Sequence, residues 1–262
     1  MGRFVFFPDN GTSLTPNAMV WTVDTEKSGS TSNLEFEVPT SYPARSFNYD
    51  IHVIETGDYY SNKTENFTID FPSAGVYNIE IIGSTTGFVQ AFFSNGGDKD
   101  KLLDIRQWGH FGWVSLNNAF WGCSNLGTIS ATDAPDLTSN FDTTWYDAQS
   151  AFRNTPNFNG DIGHWDLGYA RYWANTFNGS GLDTNLAAWD ISNVTNLNNF
   201  LLNGGMSTDN YDDTLEGWAA QTPNTGVQCH FGSSVNTLGG TAEAAKNVLI
   251  NTYGWTITDG HS

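Results

Sequence analysis

The sequence predicts a β-rich chain in two parts. A β-sandwich of short strands occupies residues 1–98, and a repeating solenoid of short strands and short helices occupies residues 99–262. Three observations predict this. Brief apolar runs, each closed by turn residues, fill the first part. In the second part an apolar pattern recurs at a shift of 24 residues. Aromatic residues make up 15% of the 262 residues and charged residues another 15%, which allows a large core and argues against disorder.

The first part reads as strands at "RFVFF", "AMVWTV", "LEFEV", "FNYDIHVI", "NFTIDF" and "VYNIEII". Turn signals separate them: Asp9-Asn10-Gly11, Lys27-Ser28-Gly29, Pro39, Pro43, Gly57-Asp58 and Ser73-Ala74-Gly75. Short strands at such spacing suggest two packed sheets. The opening apolar run lies beside a terminus, so Phe4, Phe6 and Phe7 are candidate docking residues for another chain. The competing reading places them in this part's own core. The texture changes at "SNGGDKDKLLDIRQWG", where Gly96-Gly97 and the charged Asp-Lys-Asp-Lys run mark a boundary near residue 98.

Beyond that boundary the repeat can be aligned by hand. Setting Trp165 on Trp189 matches Phe158 with Leu182, Ile162 with Leu186, Trp173 with Leu197 and Phe177 with Leu201. An upstream copy, Ala119-Phe120 followed by Leu126, matches Ala151-Phe152 followed by Phe158, with extra residues between the copies. One unit cannot bury its apolar positions alone, whereas stacked units can. A period of about 20–29 residues is that of leucine-rich solenoids. Within a unit, "GDIGHWDL" and "NLAAWDI" read as strands. "YARYWANTF" and "VTNLNNFLL", with apolar residues three and four apart, read as short helical turns.

These residues carry a family resemblance. "FNGDIGHWDL", "ARYWANTFNGS" and "WDISNVTNLNNFL" resemble the surface-protein repeat of BspA-like leucine-rich proteins, with Leu197 and Phe200 where that repeat commonly has Met. "LDIRQWGHFGWVSLNNAFWGCSNL" is similar to the entry unit of that family. "NYDDTLEGWAAQ" and "GWTITDG" are similar to its closing unit. The β-rich first part resembles the immunoglobulin- or PKD-like module that often precedes such repeats. The resemblance implies a surface or secreted recognition protein without catalysis. No export signal is read at "MGRFVFFPDNGT", and a phage structural protein needs none. The expectation is therefore a virion component: a capsid decoration, fibre or tail protein that displays its repeats for host or glycan adhesion. A bacterial cell-surface adhesin is the first alternative, and a carbohydrate-active enzyme on a solenoid scaffold the second.

Charge bounds the partners. With 28 Asp and Glu against 10 Lys and Arg, the net charge of −18 repels nucleic acid and anionic lipid. Protein subunits of a virion or cell surface, and cell-surface glycan, remain as expected partners. No run of about 18 apolar residues is present, so no membrane insertion is expected. Cys123 and Cys229 read as buried apolar residues, and no zinc-ligand spacing is found. Calcium is the one cofactor the loops suggest, through Asp133, Asp136, Asp209, Asp212 and Asp213, although neither loop has EF-hand spacing. No catalytic residue is nominated. Trp121, His164, Tyr169 and Tyr172 fall between the repeating apolar positions and are the expected exposed binding surface.

Overall fold

The computed structural model describes residues 14–40, 48–83, 90–109, 113, 115–127, 129–136, 148–166 and 170–262. The protein is β-rich, with antiparallel sheets and few helices. Its first part contains β1 (Met19–Asp24), β2 (Glu35–Val38), β3 (Tyr49–Val53), β4 (Tyr59–Lys63), β5 (Phe67–Asp70), β6 (Val76–Gly83) and β7 (Leu102–Gln107). Five of them form a sheet of order β4-β3-β6-β1-β7, antiparallel throughout. β2 and β5 form a second, two-stranded sheet. Alternation sends Tyr49, Ile51 and Val53 of β3 and Tyr77, Ile79 and Ile81 of β6 into the core. Trp21 of β1 meets Phe36 of β2 edge-on at 6.4 Å, so the two sheets share one interior.

The expected strands from "AMVWTV" to "VYNIEII" are all present, while "RFVFF" and the docking residues Phe4, Phe6 and Phe7 lie outside the described residues. Two strands escaped the sequence reading. β4 is a polar edge strand with little burial, and β7 lies past residue 98. Because β7 pairs with β1, the large sheet is completed only after the expected boundary. The charged run at that boundary is partly buried. Asp98 and Lys101 are 1% and 0% exposed.

Past β7 the chain forms layers joined by backbone hydrogen bonds. Alternate amides reach across: Trp173, Asn175, Phe177 and Gly179 donate to the carbonyls of Asn196, Asn198, Phe200 and Leu202. The amides between them, Thr176, Asn178 and Ser180, close local turns on Trp173, Asn175 and Phe177. Four layers place two residues in the left-handed region four apart: Asn118 and Gly122, Ser150 and Asn154, Asn175 and Gly179, Asn199 and Asn203. Asn and Gly tolerate that conformation best, which accounts for their abundance here.

This corrects the expected assignment within the repeat. "YARYWANTF" and "VTNLNNFLL" are not helical over their described residues; they carry the interlayer ladder. Left-handed residues break any helix, yet the tight turns keep apolar side chains three and four apart, imitating a helical period. "GDIGHWDL" and "NLAAWDI", expected as strands, are irregular turns over their described residues. There Trp189 Nε1 donates to Ile162 O at 2.8 Å, and Trp218 Nε1 donates to Leu186 O at 2.9 Å. Each indole thereby ties its own layer to the preceding one.

The matched apolar positions, Phe158, Leu182, Ile162, Leu186, Trp165, Trp189, Trp173, Leu197, Phe177 and Leu201, are all buried. Phe120, Phe152 and Phe177 form a column of parallel rings at 5.3 and 5.5 Å. The column is continuous with the sheets, since Phe120 also meets Trp21 and Phe93.

The far end is closed by α1 (Thr208–Ala219), β8 (Gln228–His230), α2 (Thr241–Tyr253) and β9 (Thr256–Thr258). α1 buries Tyr211, Thr214, Leu215 and Trp218, a single helical stripe. α2 ends at Gly254 in the left-handed conformation, where the Trp255 amide returns to Leu249 O. β8 and β9 pair in parallel.

Three buried or half-buried carboxylates anchor this architecture. Glu80 accepts bonds from Thr15 N–H, the Thr15 hydroxyl and His52. Asp183 accepts from Ser207 and Asn210 at the start of α1. Asp259 accepts from Tyr211 and Lys246, joining both helices to the C-terminal turn. Burial pushes each carboxyl up, but these donors outweigh it and hold all three below the usual carboxylate range. The stabilisation is therefore present above the unfolded carboxylate value, about pH 4, and is lost as pH falls through the folded values. The melting temperature is expected to decline on acidification below about pH 4. Asp259→Asn should be less stable at neutral pH and show a shallower decline. A melting temperature flat down to about pH 2 would contradict this.

Candidate recognition surface

The layers that bury Leu197 and Cys229 turn their alternate side chains outward. Tyr172 bridges in parallel to Asn196, Leu197 to Cys229, and β8 continues to β9. The side chains beside the buried ones are Asn198, Asn199, Gln228, His230, Thr256 and Thr258. They line an open cavity of about 320 Å³ with Cys229 at its floor. Tyr172 stands on the neighbouring layer of the same ladder and is 45% exposed. On a chain of net charge −18 the lining of this cavity contains no carboxylate. It offers amides, hydroxyls and an imidazole instead. His230 Nδ1 accepts the Gly232 amide at 3.0 Å, which leaves the proton on Nε2.

The alternation of β8 also separates Cys229 from His230, one buried and the other partly open. Both cysteines are free, and burial pushes both thiols well up. What the face can do chemically is exchange uncharged hydrogen bonds with a ligand lying across successive layers.

The expected binding residues are not brought together. Tyr172 belongs to this face, and His164 is exposed on an irregular turn elsewhere in the layers. Tyr169 lies outside the described residues. Trp121 was expected to be exposed but is half-buried, because the Arg153 guanidinium lies 4.9 Å over its ring. The register aligns Trp121 with Arg153 on the far side of the turn from Tyr172.

The five candidate calcium ligands do not converge either. Asp133 accepts the amides of Trp108 and Gly109. Asp136 is half-buried, and Asp209 sits in the first turn of α1. Asp212 accepts the Thr237 amide, while Asp213 accepts from Asn185 Nδ2. Among the described residues no three His, Cys, Asp or Glu side chains gather around a point that could hold a metal ion. No helix among them is long and apolar enough to cross a membrane.

Sequence reasoning missed the polar lining of the cavity. The available signal was indirect: Asn198, Gln228 and His230 flank the buried Leu197 and Cys229 at strand alternation.

Fold and surface together define a β-rich protein whose stacked layers present an uncharged polar face. The comparisons place the similarity in those layers. Residues 114–234 are similar to the family described as Mycoplasma protein of unknown function, DUF285. No curated protein and no solved structure matches the chain.

Proposed function

We propose that this chain is a non-enzymatic, surface-displayed recognition protein. In this reading an immunoglobulin- or PKD-like β-sandwich carries a BspA-like leucine-rich solenoid, and the leading setting is a virion, as a decoration, fibre or tail protein. One observation carries the proposal: an open, carboxylate-free polar face spans successive layers of an otherwise strongly acidic chain. General acidity limits stray association, so contacts concentrate where the charge is missing. Amides, hydroxyls and Tyr172 suit the uncharged groups of a glycan or of a protein surface.

The test is to place charge on the face without changing its shape. Asn198→Asp and Gln228→Glu are expected to weaken binding of the labelled protein to its target cells by about tenfold or more, since each buries an unpaired charge at the contact. Binding equal to the parent would overturn the assignment of the face. Mass spectrometry of purified virions and of cell envelopes addresses the setting. The second reading is a bacterial cell-surface adhesin. Recovery with envelopes alone selects that reading.

A further inference from the structure

Arg153 makes a different kind of contact from four of the ten Lys and Arg side chains. Lys27, Lys99, Lys101 and Lys246 each meet a carboxylate. The Arg153 guanidinium instead lies over Trp121, with its carbon 4.9 Å from the ring centre. Its Nε–H and the indole Nε1–H of Trp121 are both buried, and neither has an acceptor. Two neighbouring buried donors without acceptors are an uncommon arrangement, and each costs stability unless something accepts from it. The indole holds the guanidinium plane through a cation–π contact. A planar fork fixed in this way matches a carboxylate through paired hydrogen bonds. The indole beside it is half-buried, and what stays open of its ring is apolar surface against which a sugar ring can rest.

We propose that Arg153 and Trp121 form a subsite for the carboxylate of an acidic sugar, a uronic or sialic acid. The subsite lies apart from the Tyr172 face and does not depend on that face binding anything. It adds a charged contact to a protein whose cavity face is uncharged. The net charge of −18 opposes an approaching anion at long range, so the contact is made only where the fork and the ring act together.

The experiment follows the indole Nε1–H resonance of Trp121 in the ¹⁵N-labelled full chain, identified by its loss in Trp121→Phe. Glucuronate, glucose and inorganic phosphate are titrated separately. Glucuronate is expected to move this resonance, leaving the other indoles in place, and glucose is expected to have no effect. Arg153→Gln should abolish the response, and Arg153→Lys, which keeps the charge but loses the fork, should weaken it about tenfold. A response to glucose as large as that to glucuronate overturns the proposal, as does silence to glucuronate or an unchanged response in Arg153→Gln. An equal response to phosphate also overturns it, assigning a general anion site. If Arg153→Gln does not fold, the Lys variant decides by the same comparison. Asn198→Asp should leave the glucuronate response intact, so failure of the polar face and failure of this subsite are told apart.

Discussion

Phe177→Ala is expected to destabilise the protein by about 3–5 kcal/mol, the range for truncating a buried aromatic side chain. The ring is fully buried and stands at the crossing of two directions of packing. Along the stack it lies parallel to Phe152, 5.5 Å away, and meets Phe200 edge-on at 5.3 Å. Within its surroundings it meets Phe158 and Trp189. The alternate amides on either side bond to the next layer, so the backbone cannot easily collapse into the cavity left behind. Tyr172→Ala, five residues earlier on the open face, should cost under about 1 kcal/mol. Urea denaturation of the two variants checks the contrast. Equal shifts in midpoint would contradict the apolar register.

The second large effect is expected at Lys101. Its ammonium donates to the carbonyls of Thr31, Ser32 and Glu35 and to the Thr31 hydroxyl. Asp98, 3.6 Å away, accepts from the amides of Thr31 and Glu37 and from the Thr31 hydroxyl. Gly29 is required beside them, because a Cβ there would lie 2.2 Å from the Asp98 carboxylate. Lys101→Met leaves that carboxylate buried without its cation and removes one donor from each of three carbonyls, of which Ser32 O keeps the Glu35 amide and Glu35 O the Thr31 hydroxyl. A loss of about 3–5 kcal/mol is expected, as for breaking a buried ion pair by removing one partner. Asp98→Asn added to Lys101→Met removes the stranded charge but does not return the lost hydrogen bonds to the carbonyls, so it should restore only part of the loss. A midpoint for Lys101→Met within about 1 kcal/mol of the parent would show that solvent reaches the pair.

That pair also shows where sequence reasoning runs out. Alternating apolar runs located five of the seven strands in the first part, because burial on one face leaves a mark at every second residue. β4 left no such mark, since "YYSNK" lies at a sheet edge and buries little. The run holding Asp98 and Lys101 read only as a boundary, because composition cannot reveal carbonyls arriving from residues 31–35. The 24-residue shift was legible because stacking demands an apolar residue at the same place in successive layers. The path of the backbone between those places was not. Trp173, Thr176 and Phe177 have helical spacing, but the left-handed Asn175 and Gly179 turn that spacing into a ladder. At the surface, Tyr172 was legible as an interruption of the apolar pattern. Trp121 was misjudged because its cover, Arg153, comes from the following layer.

The left-handed pairs also bear on how such a protein can change. Their four-residue separation is constant, but the distance between successive pairs is not. Asn118 to Ser150 is 32 residues, Ser150 to Asn175 is 25, and Asn175 to Asn199 is 24. The stack therefore fixes a short segment of each unit and leaves the connecting length open. Extra residues are accommodated between units while the hydrogen bonds between the layers on either side are kept. The length between units thus varies while the aromatic column of Phe120, Phe152 and Phe177 is kept.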